Sequence, residues 1–233
     1  MAAHSAGREP QLTGLDRIGC RAAAHPETVF NNLGHAMTVE LLQEAYQQLD
    51  RNKAVGIDKV TKEMYGENLE HNIRELLKKI REGRYRPQPV RIVKIPKEDG
   101  NTRPLAISSL EDKLVQWAVA EILGTIYEPL FLPCSYGFRP NRNCHDALRS
   151  LARVSYAFSD GGMVEIDIRK CFNMIPHEPL MLFINKKITD SRFLELIKRL
   201  ITVPVLQNGQ QSATLRGCPQ GSIVTPATML QTI

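Results

Sequence analysis

Val164-Glu165-Ile166-Asp167-Ile168-Arg169-Lys170-Cys171-Phe172-Asn173 is the stretch on which the reading of the whole chain turns. Side chains alternate faces along a strand, so Val164, Ile166 and Ile168 share one face and are expected to enter a core. Glu165 and Asp167 share the other face, which leaves Asp167 free to face a cleft at the strand end. An aromatic, Phe172, follows five residues later. Phosphoryl transfer to a nucleotide needs carboxylates that hold two divalent cations about 3.5–4 Å apart, and one aspartate cannot do this. Taken alone, a strand-end acid is an ordinary solvated residue, so the rest of the chain has to decide.

Five further blocks surround it. Ala54-Val55-Gly56-Ile57-Asp58-Lys59-Val60-Thr61 comes first, then Tyr85-Arg86-Pro87-Gln88-Pro89-Val90-Arg91, then Ile95-Pro96-Lys97-Glu98-Asp99-Gly100-Asn101-Thr102-Arg103-Pro104-Leu105. Ser135-Tyr136-Gly137-Phe138-Arg139-Pro140-Asn141-Arg142 leads into Cys144-His145-Asp146-Ala147-Leu148, and Gly217-Cys218-Pro219-Gln220-Gly221-Ser222 lies downstream. In this order, over residues 38 to 226, the set resembles the reverse transcriptases encoded by group II introns and their bacterial relatives. Ala54 to Thr61 is similar to that family's opening finger motif, Ile95 to Leu105 to its fingertip hairpin and Val164 to Asn173 to its first palm motif. Gly217 to Ser222 is similar to its Pro-Gln-Gly loop, and the Ser135 to Arg142 block is the most specific of the set.

The resemblance implies an α+β fold: right-hand polymerase fingers plus an incomplete palm, helix-rich, with a β-hairpin fingertip. It divides the chain into an N-terminal extension over 1–37, expected to be partly disordered, fingers over 38–160, and a partial palm over 161–233. The implied activity is RNA-directed DNA polymerisation by two-metal nucleotidyl transfer with Mg²⁺, on an RNA template or intron RNA, a DNA primer and deoxynucleoside triphosphates. Asp167 is then a metal ligand assisted by the carbonyl of Ile168, and Phe172 lies under the incoming sugar, where its ring blocks a 2′-hydroxyl. Arg91, Lys97 and Arg103 hold the triphosphate, because cationic donors stabilise charge on transferring phosphoryl oxygens. Gln220 touches the nascent base pair and the sugar, and Gly221 permits close backbone approach. Arg139 and Arg142 reach template phosphates, Tyr136 and Phe138 pack the fingers, and Arg84 and Arg86 add to the RNA-binding stripe.

Members of this family continue into a Tyr-Ala-Asp-Asp hairpin and a thumb. Here no Asp follows Asp190 and no Asp-Asp pair occurs, so the 233 residues are expected to be truncated before that motif and inactive alone. Lys170 and Cys171 stand where the family has Gly and an aromatic, Asn173 where an acid is common, and Thr225-Pro226 in place of Ser-Pro. Two other readings stay open: an RNA-binding maturase-like module assisting splicing, and an inert, decayed fragment.

Composition agrees without deciding. A chain of 233 residues with 42% apolar and 24% charged residues can bury a core, and its net charge of +5 suits an anionic partner. The charge is concentrated: from Arg74 to Arg103 ten Lys or Arg stand against four acids. Such a stripe can follow a phosphate backbone, although its helical part also reads as a solvated face with pairs such as Glu75 and Lys79. The five cysteines are scattered, with no metal-ligand spacing, which fits reduced thiols in a cytoplasmic protein. No apolar run is long enough for a membrane span or signal peptide, and Met1 to Gly14 reads as a polar lead-in.

Periodicity places a helix from Thr38 to Leu49 and another from Thr61 to Ile80 stopped by Gly83. A hairpin over 90–95 and 103–107 turns at Asp99-Gly100, and a helix opens at Ser109-x-x-Asp112, a capping box with Asp in place of Glu. Leu114, Val115, Ala118, Ile122 and Ile126 form its buried face, with Trp117 at the core edge. A helix from Cys144 to Tyr156, a boundary turn at Ser159 to Gly162, a helix capped by Ser191 and a second hairpin at Asn208-Gly209 complete the expected order. His145 and His177 are read as surface or helix-start residues.

Overall fold

The computed structural model describes residues 13–51, 53–96, 100, 102–157, 160–169, 171–207, 209–217 and 221, with only the backbone at positions 103, 172 and 207. The fold is built around one apolar helix, α5 (Leu110–Tyr127), whose Leu114, Val115, Ala118, Val119, Ile122, Leu123 and Ile126 are all buried. Before it in the chain come α1 (Gly14–Ala24), α2 (Val39–Gln48), α3 (Lys62–Gly66) and α4 (Leu69–Arg81). After it come α6 (Cys144–Ala157), α7 (Cys171–Met174), α8 (His177–Asn185) and α9 (Ser191–Ile201). α1 and α2 pack directly on α5, and Leu180, Ile184, Phe193, Ile197 and Ile201 of α8 and α9 join the same apolar cluster. Each such fully buried Leu, Ile or Phe contributes roughly 1.5–3 kcal/mol, so the core is continuous across the boundary expected at residues 159–162.

A four-stranded sheet flanks this helical body in the order β2-β1-β3-β4, with β1 spanning Val90–Pro96, β2 Thr102–Ile107, β3 Val205–Gln207 and β4 Gln210–Ser212. β1 and β2 pair antiparallel from Arg91↔Ile107 to Pro96↔Thr102, as the Asp99-Gly100 signal requires, and Gly100 takes the left-handed φ of +78°. β1 pairs parallel with β3, and β3 antiparallel with β4 across Gly209, also at +78°. Both hairpins expected from the sequence are therefore present in one sheet.

Thr38 caps α2 as expected, accepting from the backbone N–H of Leu41 at 3.2 Å. The helix expected over residues 61–80 is instead two. Thr61 caps α3, which ends at Gly66; the chain breaks at Glu67 and Asn68, and α4 restarts at Leu69. Gly and Asn are poor helix formers, and the Tyr46 hydroxyl sits where a Cβ on Gly66 would be, 2.3 Å from that ideal position. Ser109 caps α5, but Asp112 does not complete the box: its carboxylate is drawn into the core by Tyr85 and Gln88. In the N-terminal extension over 1–37, residues 1–12 lie outside the described residues and α1 follows. Thr13 and Asp16 form a complete capping box, and Ile18 and Ala22 of α1 are buried against α5.

α9 is capped by Asp190 and not by Ser191. The Asp190 carboxylate accepts from Arg192 and Phe193 at the helix start and from the backbone N–H groups of Leu33 and Gly34, far away in sequence. Partial burial acts to raise its pKa, but these four donors outweigh it and the net shift is downward. A carboxylate whose folded pKa is depressed stabilises the fold above its unfolded pKa and loses that contribution as pH falls through the folded value. Urea midpoints should therefore drop below about pH 4 more steeply for the wild type than for Asp190→Asn, which keeps a neutral cap. At pH 7, Asp190→Ala should cost about 1–2 kcal/mol. Parallel curves for the wild type and Asp190→Asn would remove Asp190 from the acid response.

The first palm strand is not formed. Residues 161–168 run as irregular chain with Val164 and Ile166 each 83% exposed, and no described strand lies beside them. Alternation selects which faces a strand would present, but a lone segment without ladder partners leaves its backbone to water and gains nothing by pairing. α6 shows the same condition. It spans the expected residues, yet its apolar positions Leu148, Leu151 and Val154 are exposed and none of its residues is buried.

Candidate nucleotide and nucleic-acid site

Asp167 lies in that open segment, solvent-exposed, one residue before a turn in which the carbonyl of Ile168 accepts from the N–H of Cys171 at 3.3 Å. Phe172 is in the single turn of α7, which begins at Cys171. No group of three or more metal-capable side chains occurs among the described residues. One carboxylate and one carbonyl with a spare lone pair fit one edge of a divalent-cation site and no more.

The base of the fingertip hairpin is, by contrast, rigidly built. The Arg91 guanidinium donates to the carbonyl of Val55 at 3.0 Å, and the Lys113 amine donates to that of Ala54 at 2.7 Å. These two cations clamp the Ala54 to Thr61 motif from β1 and α5. Gly56 is the point of closest approach: a Cβ there would stand 2.5 Å from the Cα of Ser109 and 2.7 Å from its nitrogen. Burial first, and then the charges of Lys53 and Arg91 against that of Asp58, lower the pKa of Lys113. Beneath them the Tyr85 hydroxyl donates to Asp112 at 2.5 Å and the N–H of Gln88 donates to the other oxygen at 2.9 Å. Burial, the leading cause, raises the pKa of both side chains. The sequence reading missed Lys113 and this buried pair; the run Ser108-Ser109-Leu110-Glu111-Asp112-Lys113, with charges inside an apolar helix start, carried the signal.

Arg91 thus spends one donor on the finger loop at the hairpin base. The register puts positions 91 and 103 on the same face, four residue steps or roughly 13 Å apart along the strands. Lys97 lies outside the described residues, as does the side chain of Arg103.

In the Ser135 to Arg142 block the arginines serve the chain itself. The Arg139 side chain is 6% exposed; it pairs with Glu128 at 2.8 Å and donates to the carbonyls of Leu132 and Ser135 at 3.0 and 2.9 Å, over the ring of Phe131. Its donors are turned onto these internal acceptors. Arg142 donates to the Pro133 carbonyl at 3.2 Å and lies over the Tyr136 ring, while remaining exposed. Phe138, expected to pack the fingers, is instead 69% exposed at a left-handed φ of +53°. Arg139→Ala should destabilise the chain by about 2–3 kcal/mol, less than for a fully buried pair because Glu128 is 35% exposed. An unchanged urea midpoint would show that the tether is dispensable. Arg84 pairs with Glu82, and Arg86 donates to the carbonyls of Gly83 and Tyr85.

Gly221 of the downstream motif lies against the same hairpin. Gly221 has φ +104°, and a Cβ there would meet the Ala106 carbonyl of β2 at 2.9 Å and the Leu105 side chain at 2.7 Å. Glycine is required both by that φ and by that contact. Gln220 lies outside the described residues. His177 opens α8, as read from the sequence, and its Nε2 is 2.6 Å from the Gly217 carbonyl; Gly217 in turn donates to Ile175 at 2.7 Å. The structure therefore gathers the finger loop, hairpin base and Pro-Gln-Gly glycine around β1 and β2, and leaves Asp167 outside that assembly. No helix among the described residues is long and apolar enough to cross a membrane.

Comparison with known proteins agrees with this arrangement. Residues 95–233 match the reverse transcriptase (RNA-dependent DNA polymerase) family. The chain is 36% identical over 223 residues to the group II intron-encoded protein LtrA of Lactococcus lactis subsp. cremoris, covering 94% of this chain and 36% of that protein. It is 33% identical over 218 residues to an uncharacterized 91 kDa protein in the cob intron of Schizosaccharomyces pombe, covering 92% and 27%. It is 34% identical over 177 residues to protein YkfC of Escherichia coli, covering 73% and 46%. The chain thus spans less than half the length of each of these relatives. A solved partial Cas6-RT-Cas1–Cas2 complex shares the fold at a TM-score of 0.54 and 17% identity, over 85% of this chain and 33% of that one. With its motifs in family order and its hairpin, finger loop and Pro-Gln-Gly glycine assembled, the chain belongs to the reverse transcriptase family, of the group II intron-encoded type.

Proposed function

We propose that these 233 residues form the fingers, over 38–160, and the first part of the palm, from 161, of an RNA-directed DNA polymerase acting in the cytoplasm. The observation that carries the reading is the family match through residues 95–233, which includes Asp167, Phe172 and the Pro-Gln-Gly loop. Asp167 and the carbonyl of Ile168 would hold Mg²⁺, which supplies activation of the primer hydroxyl and charge neutralisation at the leaving phosphate. Arg91, Lys97 and Arg103 bind the triphosphate of the incoming deoxynucleotide, Phe172 excludes a 2′-hydroxyl, and Gln220 and Gly221 position the base pair. Arg142, Arg84 and Arg86 contact the RNA; Arg139 acts by holding the block that presents Arg142.

The 233 residues carry a single motif aspartate, so they should not extend a DNA primer on an RNA template with Mg²⁺ and deoxynucleotides. Joined to the second palm half and thumb of a related active enzyme, the same residues should support extension. Template-dependent synthesis by the 233 residues alone, above an Asp167→Ala control, would overturn the division of the active site. A folded but inert joined protein would instead favour the splicing-module or decayed-copy reading, and Lys170 and Cys171 would be the first positions to restore.

A further inference from the structure

A second cleft, of about 910 Å³, lies away from the hairpin, between the segment before α2, the C-terminal end of α4 and the start of α9. Its volume is in the range of small-ligand sites. Its walls are tied together by contacts between residues more than a hundred positions apart. Phe30 and Ile188 form a parallel β-bridge, closed by Phe30 N–H to the Lys187 carbonyl and Thr189 N–H to the Phe30 carbonyl, each at 2.8 Å. The Asp190 carboxylate then holds Leu33 and Gly34, and Arg199 donates to the carbonyls of Gly83 and Tyr85 at 3.0 and 3.1 Å. The cleft is therefore preorganised, which lowers the ordering cost of binding.

Its charge is unbalanced in a specific way. Both acids in its lining are already committed, Asp190 to four backbone N–H groups and Glu195 to Arg199 at 3.0 Å. Arg81 and Arg192, both exposed on the rim, have no carboxylate within ion-pair distance among the described residues. Arg81 also lines a neighbouring cleft of about 420 Å³ with Lys78, Arg74, Glu75 and Glu82, where Arg74 is paired with Glu70 at 2.7 Å. The lining also includes half-buried Ile80, the buried Phe193 and Leu196, and the exposed Asn31 and Asn32.

We propose that this cleft binds single-stranded RNA, holding one unstacked nucleotide with its base over the apolar floor and its flanking phosphates on Arg81 and Arg192. An unstacked base gains from apolar surface and guanidinium planes, and asparagine amides offer both donors and acceptors to a base edge. An acidic peptide would use the arginines and leave the floor and amides idle. The proposal rests on the reading that this chain works on RNA, and it gives the exposed face of α4 a binding role beyond solvation.

The test uses the full 233-residue chain and a fluorescein-labelled 12-nucleotide oligouridine, followed by anisotropy at several KCl concentrations. Arg81→Ala with Arg192→Ala should weaken binding about tenfold and reduce the salt slope by about 1.4, since each phosphate contact on a single strand contributes about 0.7. Arg17→Ala with Arg153→Ala, two exposed cations elsewhere, should change neither. A 4-thiouridine version of the oligomer should crosslink wild-type chain within residues 31–37 or 191–199, a readout independent of the variants. Unchanged affinity for the Arg81/Arg192 variant, with loss for Arg84→Ala plus Arg142→Ala, would overturn the cleft while sparing the reverse-transcriptase reading. No binding by wild type at low salt would overturn both, and equal displacement by polyglutamate would assign the cleft to an acidic polypeptide instead.

Discussion

Gly56→Ala is expected to lower the melting temperature by roughly 6–12 °C, from a loss of about 3 kcal/mol at the upper end of overpacking costs. The new methyl would sit 2.5 Å from the Cα of Ser109, 2.7 Å from its nitrogen and 2.9 Å from the Ser108 carbonyl. All three are backbone atoms, so no rotamer change relieves the clash. Ser109 is also the N-cap of α5, whose buried face organises the core. Moving it pulls on the helix start, and moving the loop instead breaks the clamps from Arg91 to Val55 and from Lys113 to Ala54. The damage should therefore reach the base of the hairpin as well as the helix start. Gly14→Ala is the matched control, since nothing lies within 4 Å of its added methyl, and it should melt within about 2 °C of wild type. Equal melting of Gly56→Ala and wild type would mean that the finger loop does not approach α5 this closely.

Local signals in the sequence were read correctly where the structure satisfies them locally. The hairpins turning at Gly100 and Gly209, the Thr38 cap and the apolar face of α5 each depend on residues within a few positions of one another. What was misread depends on partners far away. Asp190 looked like the residue before a Ser cap because its other two donors, Leu33 and Gly34, lie near the opposite end of the chain. Asp112 looked like half of a capping box because Tyr85 and Gln88, which bury it, precede it by more than twenty residues. In each case a partner distant in sequence took the carboxylate away from the local pattern.

The strand carrying Asp167 is the most consequential of these differences, and it leads to the largest expected effect. Alternation of Val164, Ile166 and Ile168 against Glu165 and Asp167 specifies a two-faced strand, yet the segment stays exposed because no described strand pairs with it. Joining the chain to the second palm half and thumb of a related enzyme should supply that pairing, and amide hydrogen exchange across residues 164–168 should then slow. In the joined enzyme Asp167→Asn should reduce kcat by about 10³-fold or more, roughly 4 kcal/mol, because the amide keeps the shape and loses the anionic charge a divalent cation requires. RNA binding should be unchanged, since Asp167 makes no contact in the hairpin assembly, and that separates lost chemistry from lost folding. Asp160→Asn, in the exposed turn that precedes the segment, should extend primers at nearly the wild-type rate. Protection of residues 164–168 together with full activity of Asp167→Asn would show that the strand had been read correctly and its carboxylate had not.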